Sequence, residues 1–387
     1  MVGTAGMGMG TGGPAGAGGP AGAGEPAGAA GEFALHGARI IVRAGALADA
    51  AALVRDCAPG CRPIVIADAN VAPLHAAPIA AALGTDLLTF PAGEASKVRA
   101  RWAALTDELL ARQLGRDTVV VAVGGGVCGD LAGFVAATYL RGVPVMQIPT
   151  SLVAMIDAAI GGKTGVDTPH GKNLVGAFHQ PALVLIDPLA LRTLPADHRR
   201  AGMAEVIKHG VIADEPYFHW IAAHGAALLS PIVADEVAQR LVLGSVAVKV
   251  HIVAGDEREG GRRRILNFGH TIGHAVEHLS NYDVLHGDAV AIGMVAEARL
   301  GELAGWTLPG LADEIRDLCA TLGLPVRIPS AFDAETILSL TRGDKKARAG
   351  VAEYALPLRL GEMNVGEGRY ALRMDEGLVR AAIEATR

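Results

Sequence analysis

Residues 118–123, Thr-Val-Val-Val-Ala-Val, run straight into Gly124, Gly125 and Gly126, followed by Gly129 and Asp130. A short, unbroken apolar and β-branched run that ends on glycines reads as a strand buried on both faces, and such strands belong to parallel sheets covered by helices. Parallel neighbours need crossover connections, and the flanking sequence provides them. Strands are expected at 38–42 and 63–67, with helical stretches at 47–55 and 98–113. After Pro195 the pattern changes to long helical periodicities at 203–212, 234–253, 271–279 and 289–304. The expected fold is therefore α/β, with an N-terminal Rossmann-like parallel-sheet domain followed by a mainly α-helical metal-binding domain. A chain of 387 residues exceeds the roughly 300 at which single cores stop growing, which fits two domains. The expected division is a disordered Gly/Ala/Pro tail at 1–31, a nucleotide-binding α/β domain at 32–195 and a helical metal- and substrate-binding domain at 196–387. Ligand clefts favour such junctions.

Gly124, Gly126 and Gly129 match G-x-G-x-x-G between the expected strand and a helix-like stretch at 131–140. Turn amides and a helix N-terminus there can hold a pyrophosphate. The pattern lacks the acidic residue about 20 positions further on that holds the ribose in the simple Rossmann case. Asp130 comes too early and Asp157 too late, so a turn required only for close packing competes with a nucleotide site.

Asn267, His270 and His274 stand at i, i+3 and i+7, one face of a helix expected to begin near Asn267. His270 and His274 are spaced as a zinc pair, and Glu205 or His286 could complete a three-ligand site with an open position. Spacing alone leaves open which two histidines bind. Isolated histidines such as His209, His219 and His224 read more simply as satisfied core or surface groups.

Of the 34 basic residues only seven are lysines. Exposed lysines drift to arginine in a GC-rich coding background, because both are solvated cations. A compact ammonium in a tight pocket resists that drift. Lys97, Lys163, Lys172, Lys208, Lys249, Lys345 and Lys346 are thus candidates for functional positions. The net charge of -6 and pI near 6.1 offer no basic face for nucleic acid and no membrane anchor, so a small-molecule partner is expected. No apolar stretch of about 20 residues lacks a charge or glycine cluster. The four cysteines show no paired spacing, which fits a reducing cytoplasm.

Together the segments 91–97 (PAGEASK), 124–130 (GGGVCGD), 137–142 (ATYLRG), 161–164 (GGKT), 171–173 (GKN), 204–208 (AEVIK), 267–274 (NFGHTIGH), 286–287 (HG) and 344–346 (DKK) resemble the 3-dehydroquinate synthase family of the shikimate pathway. The resemblance implies a phosphate-eliminating carbon–oxygen lyase of aromatic amino-acid biosynthesis. Its reaction turns 3-deoxy-D-arabino-heptulosonate 7-phosphate into 3-dehydroquinate and phosphate. NAD transiently oxidises the substrate, phosphate is eliminated, the hydride returns and an aldol step closes the ring. NAD and Zn2+ (or Co2+) are the implied cofactors, and a homodimer the implied assembly.

The resemblance makes Glu205, His270 and His286 the metal ligands and turns His274 toward the substrate phosphate. Lys163, Asn173, Asn267 and one of Lys345 or Lys346 would join it, with Arg141 reaching in from a second subunit. Lys249 and Arg263 would hold the substrate carboxylate, Lys208 a ring hydroxyl, and Asp157 lies among the substrate residues. For NAD it implies Asp68, Asn70, Glu94, Lys97, Gly125, Gly126, Asp130, Thr150, Ser151, Lys163, Lys172 and Thr193. Two positions depart from the pattern: Asp197-His198 replaces an Arg-Glu pair, and Ser151 replaces Thr. A related cyclase acting on sedoheptulose 7-phosphate or glucose 6-phosphate would leave Lys249 and Arg263 without an anion. A glycerol-type dehydrogenase would not need the phosphate lysines, and a nucleotide-binding regulatory protein would need no metal.

Overall fold

The computed structural model describes residues 31–230, 232–281, 283–342 and 352–387. The tail expectation falls outside these residues except at Gly31, which opens a strand, and Lys345 and Lys346 also lie outside them. The sheet is built from β1 (Gly31–Leu35), β2 (Ala38–Val42), β3 (Arg62–Asp68), β4 (Leu87–Phe90), β5 (Thr118–Gly124) and β6 (Val145–Pro149). A hairpin of β7 (Lys163–Thr168) and β8 (Gly171–Phe178) follows, then β9 (Leu183–Ile186), which returns to the sheet. The seven-stranded order is β1-β2-β9-β6-β5-β3-β4, parallel throughout except for β1. Every residue of β5 is buried, as its unbroken apolar run requires.

After β3 the chain moves outward to β4, then crosses back to β5 and continues to β6 on the opposite side. The carboxyl ends of β3 and β5 therefore flank a topological switch point, where open α/β sheets place their ligands. Three helices accompany these strands: α1 (Ala50–Cys57), α2 (Ala77–Leu83) and α3 (Arg99–Ala111). The next, α4 (Gly126–Thr138), begins within the glycine turn, five residues earlier than the expected 131–140 stretch.

The helical half contains α5 (Ala196–Ala213), α6 (Glu215–His224), α7 (Asp235–Ala254), α8 (His270–Leu279), α9 (His286–Leu303), α10 (Leu311–Thr321), α11 (Ala334–Arg342) and α12 (Glu376–Ala385). It shares one core with the sheet. Ile40, Val42, Val184 and Ile186 pack in the same cluster as Met203, Val206, Ile207, Leu241 and Val246. Among the described residues α7 is the one helix long and apolar enough to cross a membrane. Its apolar side answers to this shared core, where Leu241, Val242, Ile252 and Val253 are fully buried. The central α9 is buried almost all round, as an apolar helix enclosed by others must be.

Close backbone approach sets the helices that matter most. A Cβ on Gly287 would stand 1.8 Å from the carbonyl oxygen of Ala201, so glycine lets the start of α9 lie against α5. The expected helix from Asn267 is corrected. Residues Arg262–Asn267 form a 3-10 turn, Gly269 takes a left-handed φ of 79°, and α8 starts at His270. Glu297, fully buried on α9, accepts hydrogen bonds from the amides of Gly269 (2.7 Å) and Ile272 (2.9 Å). A carboxylate there satisfies open donors and complements the helix dipole.

Candidate active site

At the carboxyl end of β3, Asp68 Oδ1 accepts the amides of Asn70 (2.9 Å) and Val71 (3.1 Å). A Cβ on Gly124 would meet Asp68 Oδ2 at 3.4 Å, and one on Gly125 would meet Ser151 Oγ at 3.4 Å. Asp68, the glycine turn and Ser151 thus converge on the switch-point crevice. None of Gly124, Gly126 and Gly129 has a positive φ; a Cβ would crowd Cys128 Cβ at Gly124 (2.5 Å) and Gln147 Oε1 at Gly129 (2.8 Å), whereas Gly126 has room for one. The Thr150 amide donates to Gly124 O at 2.9 Å. Thr193 joins this side through a 2.7 Å contact of its hydroxyl with His75 Nε2, a residue the sequence reading did not single out. Buried Lys97 donates to Asp130 at 2.5 Å. Burial raises the Asp130 carboxyl even against that ammonium.

In the helical half, α5, α8 and α9 bring Glu205, His270 and His286 together. Glu205 Oε1 lies 3.4 Å from His270 Nε2 and 3.6 Å from His286 Nε2. Tetrahedral ligands with bonds of about 2.0–2.1 Å stand roughly 3.4 Å apart, so the spacing fits a zinc-sized ion. The tautomers fit as well. His270 Nδ1 faces Phe268 O at 3.1 Å and His286 Nδ1 faces Glu277 Oε2 at 3.3 Å. Both partners can only accept, so each Nδ1 carries a proton and Nε2 is the nitrogen each ring would offer to a metal ion.

The Glu205 carboxylate is fully buried and neither oxygen receives a hydrogen bond from a described residue, although Lys208 forms an ion pair with Oε2. Burial alone would favour the neutral acid, but the Lys208 ammonium outweighs it and holds Glu205 ionised. Lys208 takes Oε2, and Oε1 is left facing the two imidazoles. His274 stands at the edge of this group, its ring centroid 5.3 Å from that of His270 and 5.9 Å from that of His286.

A third set lies alongside. Asp157 pairs with Lys249, and Arg263 reaches Gly161 O at 3.4 Å. Burial would raise the Asp157 carboxyl, yet Lys249 and Lys208 hold it below the ordinary carboxylate range. Burial lowers the Lys249 ammonium to about 8 despite Asp157. Lys163 pairs with Glu259, which also accepts from Asn267 Nδ2 at 2.7 Å. Glu259, with a left-handed φ of 60°, thus binds two groups that the family resemblance assigns to phosphate; the sequence reading missed it. Asn173, also left-handed (φ 55°), donates its amide to Asp167 at 2.8 Å.

Each of the five described lysines pairs with a carboxylate in this region: Lys97 with Asp130, Lys163 with Glu259, Lys172 with Glu277, Lys208 with Glu205 and Lys249 with Asp157. Lys97, Lys208 and Lys249 are buried and Lys172 is half-buried, whereas Lys163 is exposed. His209 corrects the simpler expectation of a satisfied histidine. It is fully buried on α5 with no partner for either ring nitrogen among the described residues, and burial together with Lys208 lowers it to about 3. Arg141 is exposed at the far end of α4 from the glycine turn and is the second of two consecutive left-handed residues, after Leu140. Asp197 and His198 are exposed at the start of α5.

A switch-point crevice set beside a buried carboxylate and two oriented imidazoles defines a two-part α/β enzyme equipped for a nucleotide and a metal ion. The 3-dehydroquinate synthase N-terminal family pattern matches residues 87–201, and the C-terminal pattern matches residues 202–347. The 3-dehydroquinate synthase of Symbiobacterium thermophilum is 46% identical over 333 residues, covering 84% of this chain and 92% of that relative. The chain belongs to the 3-dehydroquinate synthase family, and is an enzyme of its carbon–oxygen lyase class.

The 2-epi-5-epi-valiolone synthase of Streptomyces hygroscopicus subsp. jinggangensis, solved with NAD+ and Zn2+ bound, superposes with a TM-score of 0.81 at 28% identity, over 92% of this chain and 97% of that one. A 2-deoxy-scyllo-inosose synthase complexed with carbaglucose-6-phosphate, NAD+ and Co2+ shares the fold, with a TM-score of 0.83 at 22% identity over 92% and 100% of the two chains.

Proposed function

We propose that the chain converts 3-deoxy-D-arabino-heptulosonate 7-phosphate to 3-dehydroquinate and phosphate, with NAD in the switch-point crevice and a divalent metal, zinc or cobalt, at Glu205, His270 and His286. The observation that carries this reading is the ionised, buried Glu205 carboxylate facing two imidazole Nε2 atoms beside the Lys249–Asp157 pair. The valiolone synthase, with NAD+ and Zn2+ on the same fold, supports the cofactors. A metal there lowers the pKa of a bound hydroxyl and polarises a neighbouring carbonyl.

The protein's own groups supply the rest. Lys249 and Arg263 hold the substrate carboxylate, and Lys208 meets a ring hydroxyl beside Glu205. Asp157 fixes Lys249. Lys163, Asn173, Asn267 and His274 receive the phosphate once it displaces Glu259 from Lys163 and Asn267. Arg141 of the partner subunit completes that pocket in a homodimer. Asp68, Asn70, Glu94, Lys97, Gly125, Gly126, Asp130, Thr150, Ser151, Lys172 and Thr193 position the dinucleotide.

The carboxylate assignment distinguishes this substrate from sedoheptulose 7-phosphate. Lys249 carries its charge below about pH 8 and loses it above. Raising pH through 8 is therefore expected to raise KM for the heptulosonate, with a smaller effect on any turnover of sedoheptulose 7-phosphate. Equal pH profiles, or turnover of the sedoheptulose phosphate alone, would remove the carboxylate from the account.

A further inference from the structure

Glu277 lies on α8, is 4% exposed and has no place in the family resemblance drawn from the sequence. Its two oxygens face different halves of the site. Oε1 accepts from Lys172 Nζ at 2.8 Å, and Oε2 faces His286 Nδ1 at 3.3 Å. Lys172 belongs to β8 and also lies 3.5 Å from Glu94, while His286 Nε2 points to Glu205 Oε1 at 3.6 Å. A continuous line of charged contacts thus runs from the nucleotide side, through Glu277, to the metal ligands.

We propose that Glu277 is a positioning residue that couples nucleotide binding to metal retention, holding Lys172 with one oxygen and fixing the His286 tautomer with the other. The inference rests on the cofactor assignments above. A carboxylate can only accept, so His286 must present Nε2 to the metal, and such partners strengthen and orient imidazole ligands. Ligand atoms of His274, Glu277 and His286 also lie within 4.8 Å of one another, as in a second cation site. The Lys172 ammonium against Glu277 disfavours that use, because a second cation would stand beside it and would need the Nδ1 atom that faces the carboxylate. A nucleotide that engages Lys172 changes its hold on Glu277, and through Glu277 the placement of His286. Linkage requires the effect to be reciprocal.

The test uses the full chain loaded with Co2+, reading the cobalt d–d spectrum and the Co2+ dissociation constant by chelator competition, without NAD and at NAD concentrations saturating each protein. In the wild type NAD is expected to tighten Co2+ retention. Glu277→Gln is expected to weaken Co2+ binding by about 10–100-fold, to shift the d–d bands and to abolish the NAD effect. Lys172→Met, which leaves the Glu277–His286 contact in place, is expected to retain Co2+ affinity without NAD but lose the NAD effect, and it decides the matter if Glu277→Gln does not fold. Wild-type Co2+ affinity and an undiminished NAD effect in Glu277→Gln, or an undiminished NAD effect in Lys172→Met, overturns the coupling. A wild-type chain that binds no Co2+ overturns the metal assignment, and the coupling with it.

Discussion

Replacing Glu205 with Gln is expected to strip the metal and to lower turnover by about 10³-fold or more, since losing a Lewis acid worth several kcal/mol costs roughly a decade of rate for each 1.4 kcal/mol. The substitution preserves volume in a fully buried position, so packing is not the cause. It removes the only anion among the three proposed ligands and leaves the Lys208 ammonium, 1% exposed, without its carboxylate. Breaking a buried pair by removing one partner costs about 3–5 kcal/mol, so a lower melting temperature is also expected. The check is metal content by mass spectrometry after dialysis, alongside kcat. A Glu205→Gln protein that keeps a full equivalent of zinc and near wild-type kcat contradicts the metal assignment.

Arg141, proposed to reach the partner subunit's phosphate pocket, is expected to carry the second large effect. α4 spans 13 residues from the glycine turn, about 20 Å at 1.5 Å per residue. Arg141 is exposed just past its far end, where Leu140 and Arg141 are both left-handed. Arg141→Ala is expected to lower kcat/KM by about 10²-fold, the scale of a lost charge-assisted phosphate contact of roughly 3 kcal/mol. Mixing chains that carry Arg141→Ala with chains that carry Lys163→Ala tests the geometry. A dimer of one of each holds one site with both residues intact, so random re-pairing is expected to restore about a quarter of wild-type activity. No recovery on co-refolding, or a monomer by sedimentation equilibrium, contradicts the shared site.

The strand at β5, the strands near 38–42 and 63–67 and the long helices of the second half were legible because burial on both faces or one face leaves a period in the sequence. The start of α8 was not. Asn267, His270 and His274 have helical spacing, yet Gly269 breaks the chain between the first and second, and Glu297, 25 residues beyond Ile272, restarts the helix. Local spacing carries no sign of a capping group that distant. Glu277 could have been found: it stands three residues after His274 and seven after His270, on the same face of α8. Glu259 gave no such sign, because it sits in an irregular turn and reaches Lys163 across 96 residues of chain. The lysine scarcity pointed to the region where the described lysines meet carboxylates, because a compact ammonium in a tight pocket is not readily replaced by a broad guanidinium. The acid proposed for the ribose was hidden by topology. Asp68 lies at the end of β3, and only the strand order puts it beside the turn after β5.

Redox balance during turnover separates a phosphate-eliminating lyase from a dehydrogenase. Purified chain is incubated with 3-deoxy-D-arabino-heptulosonate 7-phosphate in excess over NAD, with zinc present, while phosphate, 3-dehydroquinate and absorbance at the NADH band are followed together. Phosphate and dehydroquinate are expected in equal amounts, with many turnovers for each NAD and no accumulation of NADH. Accumulation of NADH in step with substrate consumed, without phosphate release, would make the chain a dehydrogenase and contradict the proposed reaction.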